Sequence, residues 1–157
     1  MPTDRVIRFG RVALALAGSA LVLAACSKEA PDAGEGAAAA VAADNTDTLA
    51  GEKLASFTGD PAKGATDYLA CKTCHAIEAG VNKIGPSLHK VVGRKAGMVA
   101  GFSYSPANAN SGIAWTPEKL FQFLEGPQRV MPGTKMGYAG MSDPQERANV
   151  IAYLQTN

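Results

Sequence analysis

The sequence predicts an all-α domain, about three to five helices joined by long loops. Two observations carry that expectation. Helix-start chemistry recurs at three places after residue 58, and no convincing stretch alternates apolar and polar residues as a half-buried strand does. A third observation adds a condition. About forty residues between the first and second helix are rich in Gly, Pro, Asn and Ser, and a loop that long is uncommon in a compact domain unless it wraps something large.

The helices follow from their caps. In "GDPAKGATDYLACKTC" (59–74) Asp60 is the expected N-cap and Pro61 sits at the first helical position. Ala65, Tyr68 or Leu69, and Cys71 or Lys72 then recur at helical spacing. In "WTPEKLFQFLEGP" (115–127) Thr116 is the cap, Pro117 lies just inside, Glu118 falls in the first turn, and Gly126-Pro127 stops the helix. In "MSDPQERANVIAYLQ" (141–155) Ser142 with Gln145 three residues later has the capping-box pattern, and Ala148, Ile151 and Leu154 form one apolar stripe.

The chain divides into three parts. Residues 1–25 read as an export signal: Arg5, Arg8 and Arg11 precede an apolar run over 12–25 that is too short to span a bilayer comfortably. The run ends in "LAAC" (23–26), which resembles the lipobox of bacterial lipoproteins and marks Cys26 for lipidation; the plainer alternative is cleavage after Ala20 or Ala25. Residues 26–56 follow as an acidic, Ala/Gly-rich stretch. Glu29, Asp32, Glu35, Asp44, Asp47 and Glu52 stand against Lys28 and Lys53, a net charge of −4, and with so few large apolar residues it reads as a flexible tether. Residues 57–157 are the folded domain, with ten basic and seven acidic residues and hence a net +3. A basic domain points to an acidic partner surface.

"ACKTCHAI" (70–77) carries the chemistry. Cys71 and Cys74 are spaced as C-x-x-C, with His75 next. A thioredoxin-like dithiol needs a strand–helix scaffold, and here a helix leads in. A structural zinc site needs four ligands, and the one other histidine, His89, fits no finger spacing and reads as structural. The remaining reading is covalent haem: two thiols add to the two vinyl groups, and His75 becomes the proximal iron ligand. The sixth position then needs a ligand. Met98, Met131, Met136 and Met141 are the candidates downstream, and methionine is usually core filler. Met136 differs. In "VMPGTKMGYAG" (130–140) Pro132 and Gly133 force a turn, and small residues let the loop press close to a flat ring. A His/Met pair raises the potential and leaves no open coordination site, which is the chemistry of an electron carrier and not of an enzyme.

On these residues the chain resembles class I cytochrome c of the mitochondrial and bacterial c2 type. "CKTCH" is similar to its haem attachment motif, "GPSLHKVVGRKAG" (85–97) to the loop after the proximal ligand, "GFSYSPANANSGIAW" (101–115) to the segment around the haem propionates, "MPGTKMGYAGM" (131–141) to the distal loop and "VIAYLQ" (150–155) to the last helix. The resemblance covers nearly all of 60–157 and implies a small fold wrapped around one covalently bound haem c. It implies that Cys71 and Cys74 carry the thioethers, that His75 and Met136 bind iron, and that the carbonyl of Pro86 accepts from the His75 ring. It also implies that Arg94, Tyr104 and Trp115 donate to the propionates, that Asn108 and Thr134 join the polar network, and that Gly64 and Tyr68 pack near Val150 and Tyr153. Phe123 stands where the family has a tyrosine reaching the axial methionine, and Gly137 where it has a larger aliphatic residue.

The expected function is one-electron transfer through an exposed haem edge, on the periplasmic side of a bacterial membrane and tethered by a lipid on Cys26. Lys72, Lys83, Arg129 and Lys135 are expected to steer acidic docking surfaces on a quinol-oxidising complex and a terminal oxidase or reductase. Two alternatives are a peroxidase or gas-binding protein, if Met136 is displaceable, and a fixed cytochrome subunit of an oxidase or reductase. No nucleic-acid partner is expected.

Overall fold

A computed structural model describes residues 39–157. The export signal, the lipobox and Cys26 lie outside the described residues. Among those described there are six α-helices and one short 3-10 turn, Leu54–Ser56, with an isolated bridge between Lys95 and Ala114 in place of any strand. The helices are α1 (Pro61–Asp67), α2 (Leu69–Lys72), α3 (Pro106–Ala109), α4 (Pro117–Glu125), α5 (Pro127–Val130) and α6 (Pro144–Gln155). All but α2 begin on proline. The ring presets φ for the first turn, and the N–H it lacks would have had no partner there.

Side-chain caps start the helices. Asp60 accepts from the backbone N–H of Ala62 and Lys63, and Thr116 accepts from that of Lys119. On α6 the cap is Asp143 and not the expected Ser142: Asp143 accepts from Gln145 and Glu146, and Pro144 fixes the first helical residue one position later than the capping-box pattern implied.

The first and last long helices cross. Gly64 of α1 lies so close to Asn149 and Tyr153 of α6 that any Cβ there would collide with the Asn149 carbonyl. Asn149 is buried and stitches the pair: its Oδ1 accepts from Asp60 N at 3.0 Å and its Nδ2 donates to Asp67 Oδ2 at 3.1 Å. The Tyr68 and Tyr153 rings pack at 5.2 Å. The loop over 73–105 has no regular structure and is pinned by hydrogen bonds. Ala96 N donates to Ile113 O, Gly93 N to Trp115 O, and Trp115 N to Arg94 O.

The tether expected over 26–56 does not extend to residue 56. Residues 42–53 lie against α4. Asn45 accepts from Asp47 N in an Asx turn, Thr48 Oγ1 donates to Glu52 O, and Leu49 N donates to Glu125 Oε2 at 2.7 Å. The ammonium of Lys119, 1 % exposed, donates to the carbonyls of Ala42 and Asn45 and to Gln122 Oε1 at 2.8–3.0 Å. Gln122, also fully buried, donates to Asn45 Oδ1 and Asp47 O. A buried ammonium is tolerable only with its donors matched, and here three acceptors match its three N–H groups. The folded unit therefore begins well before residue 57.

Candidate haem site

A cavity of about 420 Å³ lies within the fold. Leu88, Val91, Leu120, Leu124, Val150 and Leu154 make its wall mostly apolar. α4 contributes Leu120, Phe123 and Leu124 to it while turning Lys119 and Gln122 to residues 42–53. Trp115 packs on Phe123 at 4.8 Å between centroids.

Cys71, Cys74 and His75 all line this cavity. The two cysteines are free thiols, both half-buried, and burial followed by the neighbouring Cys74 pushes the Cys71 thiol pKa up. Burial holds the His75 ring below the usual histidine range, against the opposing pull of the Pro86 hydrogen bond. The ring is therefore neutral at neutral pH. Its Nδ1–H donates to Pro86 O at 2.7 Å, which leaves the Nε2 lone pair free to bind a metal. Gly85 is required beside it, because a Cβ at that position would run into the imidazole.

Of the described methionines, Met136 is the one that lines the cavity. Met131 and Met141 are buried in the core, as filler should be, whereas Met98 is 67 % exposed and fills nothing. The Met136 loop is held from inside: Met136 N donates to Thr134 Oγ1, and Gln128 Nε2 donates to the carbonyls of Thr134 and Met136. Gln128 had no local signal, since its role depends on a turn that brings residues six and eight positions ahead back to α5. Gly137 is exposed, with open space where a side chain would stand.

The expected polar residues are present at the cavity, with altered partners. Arg94 lines it but donates to Ser87 O and His89 O, bracing the loop, and burial lowers its pKa. Tyr104 accepts from Val99 N at 3.3 Å. Trp115 is buried. Asn108 Oδ1 is buried with no partner, and its residue lines the cavity. An orphaned acceptor in an apolar cavity is costly unless a ligand or water meets it. His89 does not line the cavity; its backbone serves the Arg94 contact. Of the four cations expected at a docking surface, Lys72, Lys83 and Lys135 are exposed. Arg129 is not free for that role, because it donates to Asp47 O and to Glu125 Oε2.

A large apolar slot with two adjacent thiols, a neutral oriented imidazole, one thioether and a few inward polar groups suits an iron porphyrin. The fold and this site define a small all-α protein built to enclose haem. The sequence profile of the cytochrome c family matches residues 61–157, so the chain belongs to that family. It is 54 % identical to a cytochrome c2 of Rhodopila globiformis over 99 residues, 62 % of this chain and 93 % of that one. It is 56 % identical to a cytochrome c of Trypanosoma brucei brucei over 81 residues, 52 % of this chain and 87 % of that one. The solved structure of cytochrome cH from Methylobacterium extorquens superposes with a TM-score of 0.61 at 43 % identity, covering 63 % of this chain and all of that one. The chain is an electron-carrying c-type cytochrome with covalently bound haem, not an enzyme.

Proposed function

We propose that this protein is a membrane-tethered carrier on the periplasmic side of a bacterial membrane. It passes single electrons between a quinol-oxidising complex and a terminal oxidase or reductase. Cys71 and Cys74 hold the haem as thioethers, and His75 and Met136 are the iron ligands. The observation that carries the ligand assignment is that the Pro86-oriented imidazole and a single methionine line the same cavity as both thiols.

Bound haem supplies an iron that changes oxidation state by one electron. The chain's residues do the rest. Pro86 fixes the imidazole tautomer and keeps Nε2 as the donor atom. Gln128 and Thr134 hold the Met136 backbone in place. The apolar wall excludes water; Arg94, Tyr104 and Trp115 would meet the propionates, and Asn108 and Thr134 would join the polar network beside the haem. Exposed Lys72, Lys83 and Lys135 supply positive charge for weak, salt-sensitive docking to acidic surfaces. A lipid on Cys26 confines the domain to the membrane plane and raises its effective concentration near its partners.

Two measurements test this reading. The oxidised protein should show the weak long-wavelength sulfur-to-iron band, and Met136→Ala should abolish it and lower the midpoint potential; an unchanged spectrum and potential would remove Met136 from the iron. The intact mass of the mature chain should show one haem, loss of the first 25 residues and a lipid, and Cys26→Ala should release the protein from membranes. A mature chain without lipid would refute the tether.

A further inference from the structure

An arginine stands at each end of the Met136 loop, and both arginines are held by the same N-terminal segment. The loop spans 131–141. At its start, Arg129 on α5 donates to Asp47 O at 3.2 Å and to Glu125 Oε2 at 3.0 Å. At its end, Arg147 on α6 donates to Met141 O at 2.6 Å and to Ser142 O at 3.0 Å, and its other nitrogen reaches Glu52 Oε2 at 3.0 Å. Arg147 is fully buried over the Phe121 ring, 4.4 Å from its centroid. Glu125 joins the two ends. Its carboxylate accepts from Leu49 N and Arg129 and lies 3.9 Å from Arg147. Met141 N closes the frame on Leu124 O at 2.8 Å.

We propose that residues 42–53 are a brace for the Met136 loop. Asp47, Leu49 and Glu52 hold the two ends, and the Lys119–Gln122 pair latches the segment to α4. The brace positions Met136 and opposes its departure from the iron, so the proposal rests on Met136 being the ligand. Its physical basis is burial. Partly buried, multiply bonded charges are costly to leave unpaired, so opening the loop while the segment is docked strands Arg147 and Glu125. Hydrogen bonds from Thr134 and Gln128 hold the middle of the loop, and the segment adds restraint at its two ends.

The test uses the full-length haem protein and imidazole as the probe, since imidazole binds ferric iron only after the native ligand leaves. Glu52→Gln removes the charge facing Arg147, and Lys119→Met removes the latch; neither residue lies in the loop or lines the cavity. The double variant should bind imidazole about tenfold more tightly, because apparent affinity scales with the population of the open state. The amides of Thr134 and Met141 should lose more protection than those in α6. Glu52→Gln alone should shift affinity the same way by less. If both variants match the parent in imidazole affinity and loop exchange, the brace does nothing for Met136. If loop and α6 amides lose protection equally, the segment stabilises the whole fold and does not position the ligand. Met136→Ala separates the underlying assumption: unchanged imidazole affinity in that variant would refute the ligand assignment itself, whereas a large rise with parent-like brace variants would sink the brace alone.

Discussion

His75 shows how tightly one side chain is specified. Its ring is held by the Pro86 carbonyl on one nitrogen and pressed by the Gly85 backbone. Gly85→Ala should therefore destabilise the haem protein by about 1–3 kcal/mol through overpacking and weaken iron ligation. Urea titration measures the first and the long-wavelength spectrum the second. That Cys71, Cys74 and His75 gather at one place was legible, because their spacing is contiguous. That Met136 reaches the same cavity was legible because a Pro-Gly turn sets it apart from the buried Met131 and Met141. Arg129 was not: its partner at Asp47 is 82 positions away, and no local pattern reports such a contact. Arg94 was half legible. It reaches the cavity, but its guanidinium is also spent on two loop carbonyls.

Among the elements, α4 and the α1–α6 crossing carry the architecture. Cap and stop signals marked α4 as a helix, but they did not tell that Lys119 through Leu124 are all buried. One face meets the cavity and another meets residues 42–53. Composition misread that segment, because few apolar residues usually mean disorder. Its order comes instead from hydrogen bonds to two buried polar side chains, and the Asx turn at Asn45 and the Thr48–Gly51 turn were its only local signs. On α6 the cap moved to Asp143, so Asp143→Ala should cost about 1 kcal/mol while Ser142→Ala costs almost nothing; denaturant midpoints of the two variants decide. Gly64→Ala should cost about 1–3 kcal/mol or more, because the helices must separate to admit a methyl group, and thermal unfolding reads it directly.

For the whole molecule, charge sets how it meets its surroundings. With Lys72, Lys83 and Lys135 exposed, the rate of reduction or oxidation by an acidic partner should fall as ionic strength rises; stopped-flow rates between low and physiological salt measure it, and a flat response would discount these lysines. Acid should loosen the N-terminal segment. Lys53 first, then Asn45, lower the pKa of the Asp47 carboxyl below 3.8. A lowered carboxyl stabilises the fold above its unfolded value and loses that contribution as pH falls through the folded one. The pair is exposed, so the effect is small and confined below about pH 4. It should appear as an Asp47 titration that moves back towards 3.8 in Lys53→Met.

The crossing of α1 with α6 also makes the slot depend on distant chain. The thiols at 71 and 74 stand some seventy residues before the helix that supplies Val150 and Leu154 to the cavity wall. Until α6 docks, that side of the slot stands open, so the vessel is whole only when both ends of the domain have met.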